Sequence, residues 1–273
     1  MDNFNYKKYI AEGKLLKEAS DSPKAIILAG APGAGKGYIL RGLDLSGIKI
    51  LNVDDIYVPL LQKANVTLDL KNATPEERSE QAKQMAAANK QFKGDVDSTI
   101  ENKESFILDG TGASYNQTSK LKNELEEAGY EVFMLYVYTD LQRSLSQNQD
   151  RYEKSEGKDR SLAPAIVMRT WKSVTDNLPK YADLFGNNFV AVANTLEDRM
   201  QDIDKIIKKY LTPFNPQGTK PKTPKEQAKS DVRKAKDKEE IQAMLSDDFI
   251  YDVIEYTMSK EEAQMRLKQF LSK

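Results

Sequence analysis

The sequence of 273 residues predicts an α/β fold in which a parallel sheet is flanked by helices. Three observations support this prediction. Short apolar runs alternate with longer amphipathic segments between residues 23 and 212. A glycine-rich turn follows the first apolar run, and aspartates follow the next two. Strands that alternate with helices form parallel sheets, and such sheets bind ligands at the carboxyl ends of their strands.

Individual elements can be predicted from the same pattern. The predicted strands are Ala25–Ala29, Lys49–Val53, Ser105–Leu108 and Val132–Tyr138. Between the second and third strands, Thr74, Pro75 and Glu77 have the residue types of a helix start, and that helix is expected to reach Phe92. A second helix is expected from Asn116 to Ala128, because Gly129 is a typical helix end.

Composition excludes several classes of function. The 41 Lys and Arg residues nearly balance the 42 Asp and Glu residues, so the chain lacks the strong positive charge of a typical nucleic-acid-binding protein. It contains no cysteine and no histidine, which excludes disulfides, thiolate nucleophiles, Cys/His zinc sites and histidine-dependent triads. Any metal must therefore have oxygen ligands, as Mg²⁺ and Ca²⁺ prefer. Without a long apolar run or a signal-peptide core, we expect a soluble cytoplasmic protein with no membrane contact.

The glycine-rich turn matches the phosphate-binding pattern G-x-x-x-x-G-K, which predicts a P-loop NTPase or kinase fold. Glycines let successive backbone N–H groups face a phosphate, and the lysine reaches the β- and γ-phosphates. The predicted nucleotide-binding residues are Gly30, Ala31, Pro32, Gly33, Ala34, Gly35, Lys36, Gly37 and Tyr38. Gly37 occupies the position where Ser or Thr usually binds Mg²⁺, and in this the loop resembles those of adenylate kinases. Metal binding is then expected to depend on acidic residues elsewhere.

Charged residues at other strand ends complete the predicted site. Asp54 and Asp55 follow the second strand, and Asp109 follows the third. Phosphoryl transfer requires a carboxylate for the proton of the acceptor, carboxylates near the metal, and cations near the transferred group. Arg151 and Arg160, in a polar stretch after the fourth strand, are the predicted cations because arginine binds phosphate through two N–H groups and stays charged.

In this order the motifs resemble a zeta-toxin-type P-loop kinase over about residues 24–195. The resemblance rests on the phosphate loop, Asp54-Asp55 followed by Tyr57, Asp109-Gly-Thr-Gly112, Gly129-Tyr130, Arg151-Tyr-Glu153 and Asn177-Leu-Pro179. It implies ATP-dependent phosphorylation of a hydroxyl, in characterised members the sugar 3′-hydroxyl of UDP-N-acetylglucosamine.

The resemblance also implies roles for single residues. Lys36 would contact phosphates and Asp55 would be the general base, while Arg151 and Arg160 would hold the transferred phosphoryl group. Substrate would contact Asp54, Asp109 and Thr111, and Mg²⁺ would be bound near Asp54 and Asp109. Asp109 stands where the family has glutamate, and Ala113 where relatives can carry arginine.

Four segments are predicted: a helical lead at 1–22, the P-loop kinase domain at 23–212, a basic linker at 213–238 and a helical segment at 239–273. The linker is rich in Pro and Lys and is expected to be partly helical after Thr223. We expect a small-molecule substrate, with an antitoxin or assembly partner bound through the terminal segments. Nucleic acid would be a partner only if the basic linker binds it.

Two other functions fit these motifs. One is a nucleotide or polynucleotide 5′-kinase, because the phosphate loop and Asp109-Gly110 also resemble nucleoside-monophosphate kinases, although Phe-Pro-Arg is replaced by Thr-Gly-Ala here. The other is an inactive nucleotide-binding module that serves assembly, which the segments flanking the kinase domain would explain.

Overall fold

A computed structural model describes residues 22–41, 43–70, 72–156, 158–194 and 223–272 of the chain. The sheet contains β1 (Lys24–Ala29), β2 (Lys49–Asn52), β3 (Phe106–Asp109), β4 (Glu131–Tyr138), β5 (Phe189–Ala193) and β6 (Thr257–Met258). Their order is β2-β3-β1-β4-β5-β6, and every neighbouring pair is parallel. The predicted α/β class with a parallel sheet is therefore confirmed.

Helices cover both faces of this sheet. They are α1 (Lys36–Leu40), α2 (Asp54–Lys63), α3 (Pro75–Glu101), α4 (Tyr115–Glu127), α5 (Leu141–Lys154), α6 (Pro164–Phe185), α7 (Pro224–Met244), α8 (Asp247–Glu255) and α9 (Lys260–Ser272). At the start of α3, Thr74 accepts a hydrogen bond from the Glu77 amide while the Glu77 carboxylate accepts one from the Thr74 amide.

The core forms two layers because side chains alternate between the faces of each strand. On one face Ala25, Ile27 and Ala29 of β1 pack with apolar residues of α4, α5 and α6. On the other face Ile26 and Leu28 pack with residues of α1 and α9. All residues of the central strand β1 are therefore buried. The loop that follows β1 starts from this buried strand, which fixes the position of its first residue.

The four predicted strands agree with the structure to within one residue at each end, but β5 and β6 were not predicted. Strand β5 follows the turn Gly186–Asn188, but two of its five residues are alanine, which is uncommon in strands and weakens the strand signal. Strand β6 has two residues, which is too short for any periodicity to register.

The region after residue 222 is more helical than its composition indicated. Helix α7 begins with a second Thr–Glu capping box at Thr223 and Glu226 and continues through the predicted boundary at residue 238. Beyond it, β6 adds to the edge of the sheet and α9 packs on its face. Thus residues 257–272 share the sheet and core of the predicted kinase domain. The helical lead at 1–22 and the start of the linker, at 213–222, lie outside the described residues except for Ser22.

Candidate active site

The loop between β1 and α1 is shaped by close approach to its surroundings. Gly33 has φ +75°, and a Cβ there would lie 2.8 Å from the Gln147 Cβ. Gly35 has φ +87°, and its Cβ would lie 2.5 Å from the Asn194 side-chain nitrogen. Residues other than glycine rarely adopt such φ values, and a side chain has no room at either position. Both positions therefore require glycine.

The loop also carries backbone donors without protein partners. Among the described residues, the N–H groups of Gly33, Gly35, Lys36 and Gly37 find no acceptor, whereas those of Gly30 and Ala34 donate to Thr111 O and Ala31 O. Gly33, Gly35 and Lys36 are half-buried and Gly37 is exposed, so these N–H groups are accessible to water or to a ligand. A run of unpaired N–H groups beside a lysine is the donor set that phosphate oxygens require.

Lys36 lies in the interior of this site. Its Nζ donates to the Gly30 carbonyl at 3.2 Å and lies 4.0 Å from Asp109 Oδ1. Burial lowers the pKa of Lys36; Asp109 opposes this shift, Arg151 adds to it and Asp54 opposes it. Burial likewise raises the pKa of Asp109, against the attraction of Lys36. Each group is thus desolvated and each favours the charged form of the other.

Asn52, at the end of β2, connects the acidic residues. Its side-chain nitrogen donates to Asp109 Oδ2 at 3.2 Å, and its side-chain oxygen accepts from the Asp54 amide at 2.9 Å. Because Asn52 and Asp109 are register partners on neighbouring parallel strands, the sheet itself sets the spacing of the two carboxylates. Asn52 was not predicted as a site residue, although only one residue separates it from the Asp54–Asp55 pair.

Asp54 is paired with Arg160 across the site. One terminal nitrogen of Arg160 lies 2.7 and 2.8 Å from the two carboxylate oxygens of Asp54, and both side chains are largely buried. The guanidinium also lies 5.9 Å from the centre of the Tyr57 ring. Within the described residues, the buried Nε of Arg160 has no acceptor. This arginine therefore keeps a donor available beside its ion pair.

Arg160 is held by the loop that carries it. Its neighbour Ser161 forms an isolated bridge with Asp69, and the Ser161 hydroxyl donates to the Asp69 carboxylate at 2.8 Å. Asn148 of α5 bonds both the N–H and the C=O of Leu162. The loop between α5 and α6 is thus held by two elements directly after Arg160.

The other predicted residues differ in how closely they approach the centre. Arg151 is more than half exposed and donates to Asp159, although its charge still acts on Lys36 and Asp109. Asp55 lies in the first turn of α2 and is exposed. Thr111 lies beside the loop, where its carbonyl accepts from Gly30 N–H. Tyr38 is exposed at 51%.

A framework on the far side fixes the loop. The Asn194 side chain donates to Ala34 O at 2.8 Å, and the Ser144 hydroxyl donates to Pro32 O at 2.6 Å. Asn177 and Tyr181 of α6 bond the Gly112 carbonyl, which explains the Asn-Leu-Pro motif of the sequence. Neither Asn194 nor Ser144 was predicted, because each follows or lies within an element that gives no phosphate-binding signal.

Metal binding has little direct support from side chains. Within the described residues, no group of three or more acidic side chains is arranged to bind a metal ion. Asp54 is engaged by Arg160, and Gly37 has no hydroxyl. The donor set fits Mg²⁺ only in the mode in which phosphates and water supply most ligands and one or two carboxylates the rest. Asp109 is the carboxylate available for it.

A family model described as Zeta toxin matches residues 8–208. The chain belongs to the zeta toxin family. It is a P-loop kinase, a phosphotransferase, as the predicted resemblance indicated. A search among curated proteins finds no match. Within the described residues, no helix combines the length and apolarity that crossing a membrane requires.

Solved structures of low sequence identity resemble this chain. A crystal structure of the AvrRxo1-ORF1:AvrRxo1-ORF2 complex with sulphate ions is 13% identical with a TM-score of 0.50, covering 98% of this chain and 91% of that one. A structure of the PezAT chromosomal toxin–antitoxin system of Streptococcus pneumoniae is 17% identical with a TM-score of 0.47, covering 85% and 94%. At such identities the likeness concerns the fold alone.

Proposed function

We propose that this kinase transfers the γ-phosphoryl group of ATP to a hydroxyl of a small molecule, with a nucleotide sugar such as UDP-N-acetylglucosamine as the acceptor class. One observation carries the proposal. Lys36, Asp109 and the Asp54–Arg160 pair meet at the ends of three neighbouring strands, beside a loop with unpaired N–H groups.

ATP would bind with its phosphates along residues 30–38. The N–H groups of Gly33, Gly35, Lys36 and Gly37 would exchange water for phosphate oxygens, since none has a protein acceptor among the described residues. Lys36 would exchange its bond to the Gly30 carbonyl for the β- and γ-phosphates. Phosphate favours the ammonium form, so binding would offset the lowering of the Lys36 pKa by burial.

In the reaction a bond forms between the acceptor oxygen and the γ-phosphorus, while the bond from that phosphorus to the β,γ-bridging oxygen breaks and ADP leaves. The hydroxyl proton passes to a carboxylate of the Asp54–Asp55 pair. Sequence alone favours Asp55. Geometry does not separate the two: the Asp54 carboxylate is engaged by Arg160, whereas Asp55 is exposed, and the charges of both act on Asp109.

Arg160 would neutralise charge on the transferred phosphoryl group. Its Nε, which has no acceptor within the described part of the chain, provides a donor in addition to the nitrogen that binds Asp54, so phosphate contact need not break the ion pair. Arg151 would assist from the more exposed side. Mg²⁺, when bound through the phosphates and Asp109, would supply charge neutralisation of the same kind.

The family name supports an antitoxin as a protein partner, and PezAT is by its title a toxin–antitoxin system. We propose such a partner for this chain. The expected result is that co-expression with the protein encoded beside it gives a stable complex in which kinase activity is suppressed. Unchanged activity in the presence of that protein would contradict the proposal.

The function is tested by untargeted mass spectrometry of a metabolite extract incubated with ATP, Mg²⁺ and protein. Wild type should produce a phosphorylated metabolite that Lys36→Ala does not. Asp54→Asn and Asp55→Asn, compared as a pair, identify the base as the variant that loses turnover while it retains ATP binding. UDP-sugars, nucleoside monophosphates and 5′-hydroxyl oligonucleotides are tested as separate acceptors. Lack of any Lys36-dependent product would refute the proposed activity.

A further inference from the structure

The helix that begins with Lys36 is unusually short. Helix α1 has five residues, ends at Leu40 and receives no capping bond from a side chain at its start. Isolated helices need about 12–15 residues to be even marginally stable, so α1 depends on contacts with other elements. Since its first residue is the phosphate-binding lysine, whatever stabilises α1 also determines where Lys36 lies.

The carbonyls at the end of α1 are satisfied by a residue far along the chain. The side-chain nitrogen of Gln264 in α9 donates to Ile39 O at 2.8 Å and to Arg41 O at 2.9 Å. A primary amide has two N–H groups, and here both are used. Five helical residues span about 7 Å, so the hydrogen bonds from Gln264 lie about 7 Å from Lys36 along the helix axis.

Neighbouring contacts attach α9 to the same segment. Lys260, one turn before Gln264, lies with its Nζ 3.6 Å from the centre of the Tyr38 ring. Ala263 and Leu267 are fully buried in the layer that contains Ile39. At the other end of β1, the Lys24 ammonium donates to Leu271 O at 3.2 Å. Helix α9 therefore contacts the strand before the phosphate loop and the helix after it.

We infer that α9, which lies beyond residues 8–208 that match the family, stabilises the nucleotide site. Gln264 is the positioning residue of α9, because it holds α1 and thereby Lys36 in place. Gln264 acts through α1 and does not touch the nucleotide. Without its two bonds, α1 would be ordered in only a fraction of molecules. The apparent affinity for ATP then falls by that fraction, while ATP itself restores the ordered state at saturation.

The inference rests on the proposed function only in that ATP is the ligand whose binding is measured. Three full-length variants are compared with wild type: Gln264→Leu, which removes the donors, Gln264→Glu, which keeps shape but offers only acceptors, and Gln269→Leu as a control. Gln269 is an exposed glutamine of the same helix, and no side-chain hydrogen bond of it occurs among the described residues. Titration calorimetry gives the Kd for ATP, and steady-state assays give KM and kcat.

Both Gln264 variants should bind ATP about tenfold more weakly, the effect expected from orphaned carbonyls at a helix end. Their kcat at saturating ATP should stay within about twofold of wild type. Amide hydrogen exchange at residues 36–41 should be faster in the free Gln264 variants and return to wild-type rates with saturating ATP. Gln269→Leu should change none of these. A role confined to overall stability would lower Tm and leave the Kd of the folded protein unchanged.

Equal ATP affinity for Gln264→Leu and Gln269→Leu would overturn the inference, as would unchanged exchange at residues 36–41. If wild type binds no ATP, the proposed function fails and the inference fails with it. If Gln264→Leu and wild type both bind ATP tightly, the inference about α9 is wrong, whereas the proposed function is unaffected.

Discussion

The two sides of the phosphate loop are built differently. On the side of β4 and β5, polar residues are buried and bonded to the protein: Thr139 donates to Asn194 O, and Asn194 in turn donates to Ala34 O. On the side of β2 and β3, Asp54, Asp55 and Asp109 keep carboxylates near one another and near Lys36, where burial raises the pKa of Asp109. The β4–β5 side therefore fixes the backbone of the phosphate loop, whereas the β2–β3 side carries charged groups close to Lys36.

This difference predicts which substitutions affect stability and which affect activity. Polar groups that are fully bonded stabilise one geometry, whereas desolvated charges held close together cost free energy that a ligand can offset. Variants on the β4–β5 side should therefore lose stability together with binding. Variants on the β2–β3 side should lose activity with little loss of stability.

The largest expected effect is that of Lys36→Met on activity. Removal of the ammonium should lower kcat/KM by about 10²–10³, the usual cost of losing one charged donor to a transition state. Because burial disfavours the lysine charge, the Tm should stay equal or rise. Turnover assays and thermal unfolding measure the two quantities, with Lys83→Met on exposed α3 as control. A large fall in Tm would show that Lys36 belongs to the framework instead.

The next prediction concerns the framework and compares two glycines of the loop. Gly35→Ala should destabilise the fold by about 1–3 kcal/mol, because its φ is +87° and the new Cβ would lie 2.5 Å from Asn194. Gly37→Ala should be tolerated, since no atom lies within 4 Å of the added Cβ. Denaturant unfolding measures both free energies. Equal losses of stability would refute the proposed rigidity of this side.

A smaller effect on stability is expected from the Asp54–Arg160 pair. It is more buried than a surface ion pair, so a cycle of Asp54→Asn, Arg160→Ala and the double variant should give a coupling free energy of about 1–2 kcal/mol. Denaturant unfolding supplies the four free energies. Coupling near zero would mean that the pair serves catalysis alone, which the activity of the same variants would then reveal.

The smallest effect is the pH dependence contributed by Asp109. Its pKa is raised above the ordinary value of 3.8, so the folded state binds the proton more tightly than the unfolded state. The resulting stabilisation is complete below the ordinary pKa and is lost as pH rises through the raised pKa. Wild type should therefore lose stability relative to Asp109→Asn as pH rises above the ordinary value of 3.8, over the range in which the Asp109 carboxyl loses its proton. A constant difference across that range would contradict the raised pKa.

Sequence alone predicted the fold class because long elements carry strong signals. The buried strand β1, the glycine loop and the Thr–Glu helix start of α3 are each specified by neighbouring residues. Strands β5 and β6 were not predicted, because alanines weaken the strand signal of β5 and β6 has only two residues. Their place in the sheet depends on contacts with β4 that only the folded chain provides.

For the site, sequence supplied charged residues but not their partners. Lys36, Asp54 and Arg160 were predicted, and the structure brings them together, but the pairing of Asp54 with Arg160 joins positions 106 residues apart. Asn52 and Asn194 were missed because a single asparagine at a strand end is also typical of an ordinary turn. Motifs therefore predict which chemical groups are present, and topology decides which of them are already engaged.

The bond from Lys24 to Leu271 joins positions separated by 247 residues. During synthesis on the ribosome, the part of the central strand that α9 covers consequently remains open to solvent until α9 has emerged. Contacts so distant along the chain slow folding and leave apolar surface accessible to chaperones. The nucleotide pocket of a growing chain is therefore completed late. We expect enzyme activity only after residue 271 has been translated.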